Sequence, residues 1–482
     1  MNYFIVVKVV GILLILEAAF MVPAQLIAVY YNQSDKIAFL VSILIIAAIG
    51  FLMTRVKTSN KKIRTKEGLA IVAFGWALSA ALGALPLVIS GSVPSYIDAF
   101  FETVSGLTTT GATILDDIEP LPRGILFWRS FTHWIGGMGI LVFTVALLPI
   151  FGVGGFQIFK AESPGPVADK IVPRIKDTAK IHYITYISLT GLEIILLTFG
   201  GMSLYDAALH TFGTVGTGGF STRNASIGAF DSTYIHLVIT VFMIISGANF
   251  SLYFALYKGK WRDVVKNEEL RLYLLIIFVA TLLIGTNLYF TFFDRGGILF
   301  RDAFFQVGSI ITTTGYTTVN FDQWPTFSKN ILFILMFIGG SAGSTSGGMK
   351  IIRVLVLLKL IKREVAKIFH PRAIVPIRIQ SKPLSGDATA SISSFVVLYL
   401  TVFIVGTILI SLEDIGLESA ASSVAVTLGN VGPGFGFVGP TRTYSEFSNF
   451  SKMVLSALML IGRLELFTII ALLAPKYWRN EN

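Results

Sequence analysis

Four stretches of this chain end in threonine, serine, asparagine and glycine, residues that offer oxygen ligands without fixed charge. They read D-A-F-F-E-T-V-S-G-L-T-T-T-G-A-T at Asp98–Thr113, D-A-A-L-H-T-F-G-T-V-G-T-G-G-F-S at Asp206–Ser221, D-A-F-F-Q-V-G-S-I-I-T-T-T-G-Y-T at Asp302–Thr317 and S-A-A-S-S-V-A-V-T-L-G-N-V-G-P at Ser419–Pro433. One glycine of each falls in register: Gly111, Gly219, Gly315 and Gly432, one per quarter of the chain. A cation leaving water must have its hydration oxygens replaced, and main-chain carbonyls do this without a charge that traps it. Aiming successive carbonyls one way needs backbone conformations that glycine enters cheaply. Hydroxyls add ligands or brace the loop, and a short helix ending at it points partial negative charge at the ion. Packing of small residues between helices explains one such loop equally well. Four copies at equivalent places favour a four-part ring around one axis.

The elements that must hold these loops are membrane helices. Of 482 residues, 54% are hydrophobic and 14% charged, with no cysteine and five scattered histidines. Disulfides, thiolate metal sites, thiol nucleophiles and HExxH-type zinc sites are thereby excluded. Long apolar runs of about 20 residues suit a lipid bilayer. The net charge of +10 lies in loops between them, as the positive-inside rule requires, and not in a nucleic-acid surface. The first run, Ile5–Val29, reads as a retained helix because no cleavage-site pattern follows it. Runs 5–30 and 37–54 make a leading hairpin; spans then flank each loop at 69–90 and 124–150, 180–201 and 233–257, 271–293 and 328–361, 391–412 and 450–474. Counting spans puts the basic loops 54–68, 151–180, 258–271 and 353–383 on one side and the four glycine loops on the other. The expectation is an all-α polytopic membrane protein of ten spans with both termini cytoplasmic. It divides into a hairpin and loop at 1–68 and four pseudo-symmetric helix–pore loop–helix repeats at 69–178, 179–269, 270–383 and 384–482 around one ion pathway. The segments Tyr96–Thr108, Tyr205–Gly216 and Arg301–Thr312 are too short to cross and dip in from one face.

Two further features sit at membrane depth. The last span of unit three is interrupted by G-G-S-A-G-S-T-S-G-G-M-K, Gly339–Lys350, which includes Gly340, Gly343, Gly347 and Gly348. So many weak helix formers imply irregular backbone lining a cavity. The run Gly343–Lys350 lacks the strand and lysine register of a phosphate loop, and Gly434–Gly439 matches GxGxxG without a strand–helix context. Arg463 lies midway along the final span, where an arginine normally faces a cavity or a partner. Glu465, about 200° around a regular helix, cannot pair with it there. Asp98, Asp206 and Asp302 are expected to cap the short helices, and Glu17 and Glu193 to pair between helices.

The signatures T-T-T-G-A-T, G-T-G-G-F-S-T-R-N, T-T-T-G-Y-T-T and N-V-G-P-G-F-G, with the leading hairpin, resemble the TrkH/TrkG/KtrB superfamily of potassium transporters, the TrkH branch above all. The resemblance spans the whole chain. It implies K⁺ as the transported ion, no bound organic cofactor, residence in the bacterial inner membrane, a homodimer, and a cytosolic nucleotide-binding regulatory subunit similar to TrkA. It implies a filter of Thr109, Thr110 and Gly111; Thr217, Gly218 and Gly219; Thr313, Thr314 and Gly315; and Asn430, Val431 and Gly432. In the fourth loop Gly434 is the alternative, and Gly432 is preferred because Ala420 then matches the alanine after Asp98. It also implies that Gly339–Lys350 is a gating loop beneath the filter and that Arg463 faces the pore and raises a barrier to K⁺. One shared glycine per unit, against the T-V-G-Y-G of tetrameric channels, leads to an expectation of fewer ion sites and softer selectivity over Na⁺. A Na⁺- or H⁺-coupled symporter on the same fold is the alternative, and a membrane-embedded enzyme a remote one.

Overall fold

The computed structural model describes residues 1–58, 63–139, 175–292, 296–373, 375–380 and 382–473. Lys61, Lys62, Lys160, Lys170 and Arg174 of the expected basic loops, and the inner part of span 124–150, lie outside them. Helices α1 (Tyr3–Tyr30) and α2 (Asp35–Thr54) form the leading hairpin. They cross where Gly11 and Gly50 meet: a methyl group on either would stand 2.8 Å from the other's carbonyl oxygen. Small residues here allow the backbone contact on which helix pairing in lipid depends.

Four units follow. The first holds α3 (Thr65–Gly83), α4 (Leu85–Ile89), α5 (Tyr96–Leu107) and α6 (Arg123–Gly137). The second holds α7 (Ile175–Phe199), α8 (Leu204–Gly216), α9 (Thr233–Ser246) and α10 (Phe250–Tyr257), and α11 (Trp261–Val265) leads onward. The third holds α12 (Glu268–Thr291), α13 (Gly296–Ile311), α14 (Thr326–Phe337) and α15 (Ile351–Phe369). A two-stranded ribbon, β1 (Arg378–Ile379) against β2 (Lys382–Pro383), precedes the fourth. That unit holds α16 (Gly386–Ile410), α17 (Leu417–Leu428), α18 (Asn449–Arg463) and α19 (Leu466–Leu473). The architecture is an all-α polytopic membrane fold.

Six described helical stretches are long and apolar enough to cross a bilayer, and α9 with α10 adds a seventh, bent by 93°. The later helix is interrupted in units two, three and four, and in unit one α6 ends at Gly137. After α6 come Met138 and Gly139, the latter at φ 71°. Residues 338–350 separate α14 from α15, and Leu464 and Glu465 separate α18 from α19. Glu465 breaks the last helix in a left-handed conformation, φ 64°. Arg463 is therefore the last residue of α18 and not the middle of one span, so the regular-helix angle between it and Glu465 does not apply.

The short helices are capped by other residues than the expected aspartates. Ser95 and Ser203 stand at the N-cap and accept from the amides of Asp98 (3.4 Å) and Asp206 (3.0 Å). A serine hydroxyl there reaches the third amide of the first turn, and the aspartates occupy that third position. Asp98 instead meets Lys452 of α18 at 2.6 Å, and Asp206 accepts from Thr222 at 2.7 Å. Asp302 lies inside α13, which starts at Gly296, and pairs with Arg301. Each short helix packs on the later helix of the preceding unit: α8 on α6, α13 on α9, α17 on α14, and α5 on α18. The fourth contact joins the last unit to the first, so the packing closes into a ring.

Candidate functional site

All four short helices end in the same way. The amide of Thr110 reaches Ser105 O (2.9 Å) and that of Thr109 reaches Gly106 O (3.1 Å). The same pair of bonds runs from Gly218 to Gly213 and Thr217 to Thr214, from Thr314 to Ser309 and Thr313 to Ile310, and from Val431 to Val426 and Asn430 to Thr427. This is the Schellman termination, whose left-handed residue is usually glycine. Here it is Thr109 (φ 55°), Thr217 (55°), Thr313 (57°) and Asn430 (55°). A β-branched residue in this region is an outlier that costs about 1–3 kcal/mol. Glycine would terminate the helices without that cost, so the terminal geometry does not by itself account for a threonine three times over.

Two residues later the chain is left-handed again, at Gly111 (80°), Gly219 (83°), Gly315 (80°) and Gly432 (101°). These glycines cannot be replaced by any other residue without a collision. A methyl group on Gly111 would lie 2.2 Å from Gly218 O, on Gly219 2.0 Å from Thr314 O, on Gly315 2.1 Å from Val431 O, and on Gly432 2.6 Å from Thr110 O. Each loop abuts the next and the fourth abuts the first. Gly434 has no left-handed backbone, and its amide donates to Val438 O (2.7 Å), which puts Gly432 in register with the other three. All four glycines line a single outer cavity of about 170 Å³.

The ring is braced from behind by residues the sequence reading did not single out. His133 on α6 donates from Nδ1 to Gly106 O (2.8 Å) and accepts at Nε2 from the Phe220 amide (3.1 Å), joining units one and two. Arg129 pairs with Glu102 at 2.6 Å, both almost fully buried. Glu102 also accepts from Thr113 Oγ1 and the Ile114 amide, and the guanidinium lies over Phe220. Tyr316 donates to His210 O (2.9 Å), joining units three and two; Asn430 Nδ2 donates to Thr110 Oγ1 (3.0 Å), joining four and one. In the sequence, Glu102 and Arg129 stood out only as charges within otherwise apolar segments.

Directly inside the ring lies residues 338–350. Its amides and hydroxyls reach units three and two: Gly347 N donates to Thr313 Oγ1 (2.7 Å), Ser341 N to Gly247 O (2.8 Å), and Thr345 Oγ1 to Ser246 O (3.2 Å). Lys350, buried, donates to Ser346 O. Arg463 donates to Thr345 O (2.8 Å) and to Gly136 O (2.5 Å), the end of α6. Gly343, Gly347, Gly348, Lys350 and Arg463 line one inner cavity of about 100 Å³; Gly339 and Gly340 pack behind it, with a methyl on Gly339 only 1.9 Å from Gly347 O. Two of the arginine's donors are thus met by main-chain carbonyls, one from the 338–350 loop and one from the end of α6. Glu465 pairs instead with Arg353 of α15 at 2.5 Å.

Residues 34–480 match the TrkH family, described as cation transport proteins. The chain belongs to that family. It is 40% identical, over all of both chains, to the Trk system potassium uptake protein TrkH of Escherichia coli K12, and 35% identical to that organism's TrkG over 99% of each. The crystal structure of the potassium transporter TrkH from Vibrio parahaemolyticus aligns with a TM-score of 0.89, at 36% identity, over 99% of this chain and 100% of that one. Membership in the TrkH family makes the chain a transporter and removes the membrane-embedded enzyme from consideration. Among the described residues no cluster of histidine and carboxylate side chains is arranged to hold a metal ion.

Proposed function

We propose that this TrkH-family chain takes up K⁺ across the bacterial cytoplasmic membrane, through a filter made by 109–111, 217–219, 313–315 and 430–432. The alternation of left-handed φ at the first and third residue of each triplet, repeated in all four units, carries this reading. Such alternation turns successive peptide planes so that carbonyls project to one side, where they replace water around a dehydrated cation. The helix C-termini behind them add partial negative charge. On this reading residues 338–350 close the path below the filter, and the Arg463 charge raises a barrier there. The repeats run 69–178, 179–269, 270–383 and 384–482, in ten spans with cytoplasmic termini. The unit works as a homodimer with a nucleotide-binding cytosolic subunit on the basic face.

The test is Gly315→Ala. With Val431 O 2.1 Å from the added methyl and φ at 80°, the filter must distort. Rubidium or K⁺ uptake in proteoliposomes is expected to fall at least tenfold while the protein still purifies as a folded membrane protein. Wild-type uptake by that variant would remove the filter assignment. Imposed Na⁺ and pH gradients in the same vesicles separate passive flow from ion-coupled symport.

A further inference from the structure

The four left-handed residues at the inner end of the filter occupy equivalent positions but are not equivalently engaged. Thr217 donates back to its neighbour Gly216 O (2.7 Å). Thr109 Oγ1 and Asn430 Oδ1 are buried with no hydrogen-bond partner among the described residues. Thr313 Oγ1 alone is held from below, accepting from the amide of Gly347 at 2.7 Å. Gly347 is pressed into this place: a methyl group on it would lie 2.7 Å from both Gly429 O and Asn430 Cβ. The loop below therefore touches the inner end of the filter at unit three by a hydrogen bond and at unit four by close packing.

We propose that Thr313 is a positioning residue through which the inner ion position and the 338–350 loop compete for one hydroxyl oxygen. The inference rests on the filter reading above. A hydroxyl oxygen has two lone pairs. With one committed to Gly347 N–H, and the positive end of that dipole beside it, the oxygen is a poorer cation ligand. A K⁺ ion drawing on the same oxygen weakens the amide bond in turn. Linkage makes the two effects equal: the factor by which loop closure lowers K⁺ affinity at the inner position is the factor by which K⁺ there favours loop release. For one neutral hydrogen bond that factor is roughly two- to tenfold. The transported ion thereby loosens its own gate, and the symmetry of the ring supplies the control, because Thr109 has the same backbone and no such contact.

The experiment compares Thr313→Val with Thr109→Val in proteoliposomes of the full chain without an activating subunit. Each variant removes one hydroxyl from the same ring, so effects on the filter are common to both. Thr313→Val is expected to pass roughly two- to tenfold more rubidium tracer than Thr109→Val. Thr313→Ser, which keeps the hydroxyl, is expected to fall back at least roughly twofold below Thr313→Val. Equal fluxes for the two valine variants, or a serine variant as leaky as the valine one, would overturn the proposal. Should either valine variant fail to fold, amide exchange in the wild-type segment 343–348 decides: saturating K⁺ is expected to speed it roughly two- to tenfold relative to choline, and no change overturns the link. Failure of the filter reading appears separately, as retained uptake in Gly315→Ala.

Discussion

Arg353 and Glu465 meet at 2.5 Å across the gap between α15 and the break that ends α18. The pair ties the resumption of the third unit's broken helix to the interruption in the fourth, and the Arg353 guanidinium also lies 3.7 Å from the Phe395 ring centroid. Glu465→Gln keeps the shape and loses the charge. Charged hydrogen bonds of this kind contribute about 1.5–3 kcal/mol. A lowered thermal midpoint in detergent is expected for Glu465→Gln and for Arg353→Met, with the double variant losing less than the sum of the two. Additive losses in that cycle would show that the two side chains do not act as a pair.

Glu269 holds the loop from the side. Its carboxylate accepts from the Ala342 amide (2.7 Å) and the Ile352 amide (3.1 Å), the second in the first turn of α15 where helix dipole and carboxylate attract. Glu269→Ala releases two main-chain donors at the two ends of the 338–350 loop. Raised tracer leak, by roughly tenfold for about 1.4 kcal/mol of lost closure, is the expected result. A tight protein would assign the loop's position to other contacts.

Arg463 predicts a change of the same sign by a different route. Arg463→Gln removes a charge beside the inner cavity together with its bonds to Thr345 O and Gly136 O. Flux is expected to rise, and deletion of 343–348 to raise it further. Lower flux in both would argue that these residues support the path and do not obstruct it.

Arg129 and Glu102 predict a loss of stability. Their side chains are 2% and 1% exposed, so Arg129→Met strands a buried carboxylate. Breaking such a pair costs about 3–5 kcal/mol. Poor yield and a much lower unfolding midpoint are expected, and a variant that melts like wild type would refute the bracing role.

Gly219→Ala and Gly191→Ala separate the four register glycines from the rest. A methyl group at Gly219 would lie 2.0 Å from Thr314 O, with φ at 83°; at Gly191 it meets nothing within 4 Å. Uptake is expected to be lost in the first and kept in the second. Equal activity in the two would remove the special status of the register glycines.

The repeats, the leading hairpin, the interrupted helix at Gly339–Lys350 and the register of Gly111, Gly219 and Gly315 were legible in the sequence, because apolar periodicity and glycine placement are local consequences of backbone chemistry in lipid. Gly432 was preferred over Gly434 from the match of Ala420 alone, whereas the folded chain separates them by the left-handed backbone at Gly432 and its approach to Thr110 O of unit one. Serine rather than aspartate at two helix starts, and the breaks after Ser246 and Arg463, were missed for a related reason. A membrane helix of apolar residues reads as continuous until neighbouring units supply partners for the backbone groups that a break sets free. The threonines show the division most plainly. Their type and spacing are written in the chain, but that Thr313 is held by Gly347 while Thr109 is not was decided by the ring, which brings one loop under one of its four quarters.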